Sequence, residues 1–280
     1  MMNDIITYIR KSLETLYPPE EIHGLTQWIL EKVCNLPRHQ QIWHKDKELS
    51  QTEKQTIQTI VQRLLNSEPI QYIFGETEFY GLPFKVSPSV LIPRPETEEL
   101  VHRIIQEQTA SNLRILDIGT GSGCIAVTLA KKLTEADVYA LDISEDVLQI
   151  AQQNAQRNEV TIQLIHAGIF LINASTLPLF DMIVSNPPYV TMSEKARLKP
   201  NVLDYEPHQA LFVPDNDPIR FYHKIAEFGR DKLTVKGLLY FEINPLFGET
   251  IGRMLHQKGY RSIEVSRDLS GKERFIKATK

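Results

Sequence analysis

The stretch LRILDIGTGSGC, residues 113–124, decides the fold. Leu113, Ile115, Leu116 and Ile118 make a short aliphatic run of buried-strand character, and the chain then turns at Gly119, Gly121 and Gly123 before a helical pattern begins. Glycine accepts positive φ and lets a ligand come close to the backbone. Between a strand and a helix, such a turn lies at the carboxyl end of a sheet, where open α/β sheets bind ligands. The spacing excludes two kinds of loop. A dinucleotide fingerprint G-x-G-x-x-G needs glycine at position 124, which is Cys124, and a P-loop ends in Gly-Lys-Ser/Thr, which is missing. What remains is D-x-G-x-G-x-G, starting at Asp117.

Outward from this turn, strand and helix patterns alternate. Strands are predicted at 113–118, 137–143, 161–166, 180–185, 237–243, 260–265 and 274–278, and helices at 124–133, 144–158, 217–233 and 247–258. Alternation of this kind predicts an α/β, doubly wound, seven-stranded Rossmann-like sheet. Upstream the period changes. Ile5, Ile6, Ile9, Leu13 and Leu16, then Ile22, Leu25, Ile29 and Val33, then Ile57, Ile60, Val61, Leu64 and Leu65 fall at helical spacings. Pro18, Pro19 and Pro37 punctuate them, and Ser50 with Glu53 forms a capping box. Residues 1–66 therefore read as a small helical bundle, either a structural cap or a partner-recognition module. Aromatic and β-forming residues at 72–74 and 78–86, around Gly75, Gly81 and Pro83, predict a hairpin linker within 67–95. LIPRPETEEL, residues 91–100, is a stiff proline loop opening a helix at about Glu96, so the α/β domain spans 96–280.

The second strand ends in Asp142, placed to accept hydrogen bonds from both ribose hydroxyls of an adenosine. Asp117 holds the loop or meets an amino group of the ligand. The fourth strand runs into VSNPPYV, residues 184–190. Two successive prolines fix their φ angles and remove two N–H donors. This stiffness holds Asn186 and Tyr189 beside the glycine loop, because the fourth strand neighbours the first in such sheets. The Asn186 side chain offers a carbonyl and Pro187 its backbone carbonyl, two acceptors matching the two hydrogens of a planar –NH₂ group. The group acted upon is therefore expected to be an amino or amide nitrogen, with Tyr189 lying against it. The bland alternative is a rigid turn packing a core.

Composition sets limits. The 280 residues are 42% hydrophobic and 24% charged with a net charge of −4, ordinary globular values that argue against gripping a long nucleic acid. Two cysteines, Cys34 and Cys124, exclude a disulfide framework and a cysteine-rich zinc site. Cys34 near His39 and His44 reads as structural. The charged start has no unbroken apolar region, and no apolar run approaches a membrane span. A reduced, cytoplasmic protein without a metal or membrane is expected.

The D-x-G-x-G-x-G form resembles the first motif of S-adenosylmethionine-dependent methyltransferases. More specifically, EPIQYIFGETEFYGLPFKVSPSVLIPRPETEELV, LDIGTGSG, SNPPYV, YEPHQAL and RDLSGKERF together resemble the release factor glutamine methyltransferases, the HemK/PrmC group. The similarity covers roughly residues 68–280. It implies transfer of a methyl group from S-adenosylmethionine to the side-chain amide nitrogen of the glutamine in the GGQ motif of bacterial peptide chain release factors, with S-adenosylhomocysteine as product. It further implies that Asn186, Pro187, Pro188 and Tyr189 bind that glutamine. Asp117, Gly119, Thr120, Gly121, Ser122, Gly123 and Asp142 would bind the cofactor, beside Asn186, and Ile169 would pack on its adenine. Two departures stand out. Gly168 replaces the acidic residue that the family places near the adenine, so weaker cofactor affinity is expected. In EINPLFGE, Asn244 and Phe247 replace a glycine and a glutamine, changes expected to leave the methyl-transfer geometry untouched.

Three other readings stay open at this level. An adenine amino-methyltransferase that flips its base shares NPPY but usually adds a basic recognition region. A ribosomal protein glutamine methyltransferase shares nearly every motif. A non-catalytic cofactor-binding scaffold would not need the Asn186-to-Tyr189 constellation.

Overall fold

In the computed structural model, which describes residues 1–41, 43, 47–108 and 110–280, the strand at Arg114–Ile118 (β1) is an interior strand of a seven-stranded sheet. Its partners are Asp137–Asp142 (β2), Gln163–His166 (β3), Phe180–Ser185 (β4), Leu233–Glu242 (β5), Arg261–Arg267 (β6) and Glu273–Thr279 (β7). The order is β6-β7-β5-β4-β1-β2-β3, parallel from β5 through β3, with β7 antiparallel to both β5 and β6. The predicted doubly wound α/β sheet is thus present, seven strands in all.

Side-chain alternation explains why helices cover both faces. Ile115, Val138, Met182, Val184 and Tyr240 point to one side, where they pack with Leu100, Val101 and Ile104 of Pro95–Glu107 (α4), Val127 and Leu129 of Cys124–Lys132 (α5), and Ala151 and Ala155 of Glu145–Arg157 (α6). Leu116, Ile118, Leu141, Ile183, Leu239 and Phe241 point to the other. There they meet Tyr222, Ile225 and Phe228 of Arg220–Lys232 (α7) and Ile251 and Leu255 of Gly248–Gln257 (α8). Each fully buried Ile or Leu contributes about 1.5–3 kcal/mol. The two faces therefore supply the stability on which the loops at the strand ends are built.

The chain divides into two compact units, Met1–Phe74 with Pro200–Tyr205, and Gly75–Lys199 with Glu206–Lys280. The first is helical: Met2–Leu13 (α1), Pro19–Cys34 (α2) and Gln51–Leu65 (α3) bury Ile5, Ile9, Leu13, Ile29, Ile57 and Val61 against one another. The capping box is formed, Glu53 N donating to Ser50 Oγ at 3.1 Å and Ser50 N to Glu53 Oε2 at 2.6 Å. Cys34 is buried, and burial pushes its thiol up to about 11; His44 lies outside the described residues. Within this unit the hydroxyl of Tyr205 donates to the Asn66 carbonyl at 2.8 Å. No described helix is long and apolar enough to cross a membrane.

Two local readings change. Residues 72–74 belong to a short helix, Ile70–Phe74, rather than to the hairpin. The Pro69 carbonyl accepts from both Tyr72 N and Ile73 N and starts a helical turn that buries Ile70 and Tyr72, so packing overrides their β propensity. The helix expected from 217 begins only at Arg220, because a turn from Asp217 N to the Pro214 carbonyl takes up the preceding residues. The hairpin itself pairs Glu76–Phe79 with Leu82–Lys85 through Tyr80 and Gly81, both at positive φ as a two-residue turn requires.

That hairpin is fastened by two buried side chains, Asn158, which donates to the Pro83 carbonyl at 2.9 Å, and Asn154. Asn154 on α6 accepts from Lys85 N at 2.6 Å and donates to the carbonyls of Lys85 at 2.9 Å and of Ser122 at 2.8 Å. It ties hairpin, glycine turn and helix together. Asn154→Ala leaves three backbone groups without this partner and is expected to lower the unfolding free energy by about 3 kcal/mol. A urea-denaturation midpoint shows it; a loss below about 1 kcal/mol would mean that the three groups find other partners.

Candidate active site

The glycine turn leaves β1 with Gly119, Gly121 and Gly123 at φ of 73°, 55° and 79°. A Cβ at Gly119 or Gly121 would meet nothing within 4 Å, so glycine serves the backbone conformation there. At Gly123 the reason is different. A Cβ would stand 3.0 Å from Ala151 Cβ and 3.2 Å from Ala151 Cα, so α5 and α6 approach one another over this residue. Gly119 N and Thr120 N donate to the Leu141 carbonyl at 2.8 and 3.0 Å, which fastens the turn to the end of β2. There Asp142 takes Gly121 N on Oδ2 and Ser144 N on Oδ1, both at 3.1 Å. Burial raises the Asp142 pKa, and these backbone donors pull it back. A carboxylate accepts about four hydrogen bonds, so Asp142 keeps acceptor capacity after positioning the loop.

Beneath the turn, Asp117 is fully buried. Its Oδ2 accepts from Thr120 Oγ1 at 2.6 Å, while its Oδ1 lacks a hydrogen bond of normal geometry among the described residues. Burial pushes this carboxyl up to about 7.

β4 pairs with β1 in parallel, Asp117 opposite Val184 and Ile118 opposite Ser185. Ser185 Oγ donates to the Ile118 carbonyl at 2.6 Å and holds the two strand ends together. Asn186, Pro187 and Pro188 therefore emerge beside the glycine turn. A cavity of about 480 Å³ opens between them, lined by Gly119, Thr120, Gly121, Ser122, Asp142, Gly168, Ile169, Asn186, Pro187 and Pro188. Its size is that of a small-molecule site. Asp117 and Gly123 lie behind this wall, and Tyr189 lines an adjoining recess of about 50 Å³ with Leu91, Arg94, Asn186 and Pro187. At Gly168 a Cβ would stand 3.0 Å from Ile143 Cδ1, so an isoleucine fills the space that an acidic side chain would take. On the same side Arg220 stacks over Phe170 at 4.9 Å.

Residues that sequence reasoning passed over complete the site. Glu242, at the end of β5, is fully buried. It accepts from Thr97 Oγ1 on Oε2 at 2.6 Å and from the Tyr189 hydroxyl on Oε1 at 3.0 Å. Thr97 Oγ1 in turn accepts from Asn186 Nδ2 at 3.2 Å. Burial raises the Glu242 pKa, while Thr97, Tyr189 and the Arg274 charge pull it down. An acidic residue inside the apolar run LLYFEI was the available signal. Arg94 donates to Glu206 Oε1 at 2.6 Å, and Glu206 is buried, which gives YEPHQAL a part in holding the LIPRP loop.

One expectation is corrected. Asn244, expected to leave the methyl-transfer geometry untouched, donates from Nδ2 to the Tyr189 carbonyl at 3.1 Å and to Glu194 Oε2 at 3.0 Å. It fastens the backbone of the NPPY turn directly. Parallel β4–β5 pairing brings the two strand ends together, which residue spacing alone does not reveal.

The chain was compared with known proteins. Residues 4–75 match the PrmC N-terminal domain and residues 96–203 the methyltransferase small domain. A release factor glutamine methyltransferase of Bacteroides thetaiotaomicron is 46% identical over 279 residues, covering 100% of both chains. One from Flavobacterium psychrophilum is 44% identical over 275 residues, covering 97% of this chain and 96% of its own. Among solved structures, a methyltransferase from Pyrococcus furiosus aligns with TM-score 0.54 at 20% identity, covering 78% of this chain and 96% of its own. The catalytic domain of hMettl16, solved with an RNA hairpin, aligns at 0.56 and 16% identity, covering 82% and 80%; both likenesses concern the fold alone. Full-length identity of this order, together with both domain matches, places the chain in the release factor glutamine methyltransferase family.

Proposed function

We propose that this enzyme methylates the side-chain amide nitrogen of the glutamine in the GGQ motif of peptide chain release factors, with S-adenosylmethionine as donor. One observation carries the reading: the ends of three adjacent parallel strands bring the glycine turn, Asp142 and Asn186 with its two prolines to the wall of a single cavity. The cavity fits the cofactor. Asp142 keeps acceptor capacity for ribose hydroxyls, Ile169 and Ile143 offer an apolar wall to adenine, and the buried Asp117 carboxyl behind the glycine turn places negative charge on the side of an amino group. The turn Gly119, Thr120, Gly121, Ser122 and Gly123 supplies the close backbone approach.

S-adenosylmethionine, when bound, supplies an electrophilic methyl group and departs as S-adenosylhomocysteine. The protein's part is to hold a poor nucleophile. An amide nitrogen's lone pair is delocalised into its carbonyl, so orientation matters more than basicity. The Asn186 side-chain carbonyl and the Pro187 backbone carbonyl accept the two amide hydrogens, and Pro188 contributes stiffness. Positioning of this kind can supply about 7–11 kcal/mol in favourable cases. As nitrogen gives its electron pair to carbon, those two oxygens also stabilise the positive charge that develops on it. The extra proton leaves to water afterwards, with no strong base required. Tyr189 shapes the recess in which the glutamine side chain lies. The helical bundle of residues 1–66 serves as the docking surface for the release factor.

Incubation with labelled S-adenosylmethionine and separate acceptors tests the reading. A release factor should take up label, while ribosomal proteins and DNA should not; Asn186→Ala should reduce turnover at least 100-fold, about the loss of one transition-state hydrogen bond. Asp142→Ala should abolish cofactor binding, and label in DNA alone would refute the reading. Removal of residues 1–66 should stop methylation of whole release factor yet preserve cofactor binding; unchanged turnover would remove the docking role. Burial pushes Asp117 up to about 7, so if its carboxylate holds a cationic amino group, cofactor affinity should rise with pH through that region and binding should release a proton below it. Calorimetry in buffers of different ionisation enthalpy reads this, and Asp117→Asn should bind weakly and without that slope.

A further inference from the structure

We infer that Thr97 and Glu242 are positioning residues that decide which end of the Asn186 carboxamide faces the acceptor nitrogen. The inference rests on the amide-methylation reading above and adds the device that makes Asn186 an acceptor in that site.

The two ends of an asparagine amide are nearly the same size, so shape alone does not orient it. Here donor counting does. A carboxylate only accepts hydrogen bonds. Glu242 receives two, from the hydroxyls of Thr97 and Tyr189 at 2.6 and 3.0 Å, so both hydroxyls donate. The 2.6 Å separation to Thr97 lies in the range of an O–H···O⁻ bond. Thr97 has one hydroxyl proton, and it is committed to Glu242. Toward Asn186, 3.2 Å away, Thr97 Oγ1 has only lone pairs to offer. The neighbouring end of Asn186 must be its –NH₂, and Oδ1 is turned toward the acceptor.

The order is therefore fixed from the core outward: a buried carboxylate, a hydroxyl, a carboxamide, and then the substrate amide, each donating inward to the next. With the Asn186 amide reversed, its –NH₂ would face the –NH₂ of the substrate, and one of the two contacts that stabilise charge on nitrogen would become repulsive. The same carboxylate holds Tyr189, so one buried group anchors both ends of the NPPY turn. Burial makes the relay rigid: Thr97 is 2% and Glu242 1% exposed. Thr97 sits in the first turn of α4, opened by Pro95, so this turn acts on the acceptor through Asn186.

The test begins with wild-type turnover on a release factor, since its absence removes the activity reading and the relay with it. Thr97→Val keeps the side-chain shape and removes the hydroxyl. The relay predicts a kcat about 100-fold lower, an unchanged Kd for S-adenosylmethionine by calorimetry, and recovery of most of the loss in Thr97→Ser. It also predicts non-additivity: Asn186→Ala with Thr97→Val should be no slower than Asn186→Ala alone in single-turnover assays. Wild-type kcat in Thr97→Val, or losses that multiply in the double variant, would overturn the relay while leaving the activity intact. Should Thr97→Val fail to bind cofactor, Thr97→Cys, of similar size but a weak donor and acceptor, carries the test. A lower kcat at unchanged cofactor Kd supports the relay, and full turnover overturns it.

Discussion

Parallel pairing of β4 with β1 is the constraint on which the site depends. Neighbouring strands lie about 4.8 Å apart, so whatever follows their carboxyl ends is forced into proximity. Here the glycine turn follows one and Asn-Pro-Pro-Tyr the other. The register sets Ile118 opposite Ser185, and the Ser185 hydroxyl on the Ile118 carbonyl stops the two ends from splaying. A slip by one residue would turn every side chain of β4 to the other face. Both faces of β4 are apolar, so the fit of Met182 and Val184 into one core and of Ile183 into the other, rather than burial alone, holds the register. The hydrophobic core therefore specifies, through register, the position of a polar amide at the edge of a cavity.

A second layer of control lies in buried polar groups. Asp117, Glu242, Asn154 and Ser185 are each almost fully inaccessible, and each spends its hydrogen bonds on a loop or on a site residue. A buried polar side chain is favourable only when it is partnered, which makes these positions demanding. Asn154 satisfies that demand with three backbone groups from two segments. Asp117 keeps one oxygen without a hydrogen bond of normal geometry among the described residues, behind the glycine turn that lines the cavity. Stability is given up at Asp117, whereas the Glu242 cluster converts burial into orientation.

Differences from the family pattern acquire a physical meaning in this setting. Ile143 closes against Gly168, so the cavity wall that lacks an acidic group is apolar and filled rather than vacant. Asn244 and Glu194 supply a polar clasp behind Tyr189, with the Asn244 side chain also accepting from Leu246 N at 3.0 Å. The turn that carries Tyr189 is thereby held by its hydroxyl on one side and by its carbonyl on the other.

Much of this protein could be read from its residues in order. Period-two and period-3.6 hydrophobic patterns fixed the alternation of strands and helices, because those periods reflect which face is buried, and Cys124 in place of a glycine, with no Gly-Lys-Ser/Thr ending, excluded a dinucleotide fingerprint and a P-loop. The prolines announced a stiff turn, and Asn186 a carboxamide at its head. What the order of residues did not disclose was which distant groups would meet. Thr97 and Glu242 are separated by a long stretch of chain, and only the tertiary fold, by ending β5 beside the first turn of α4, sets a hydroxyl between a buried carboxylate and Asn186. Local patterns record burial, a property each residue carries along its own element, whereas hydrogen-bond direction depends on partners that three-dimensional packing alone selects.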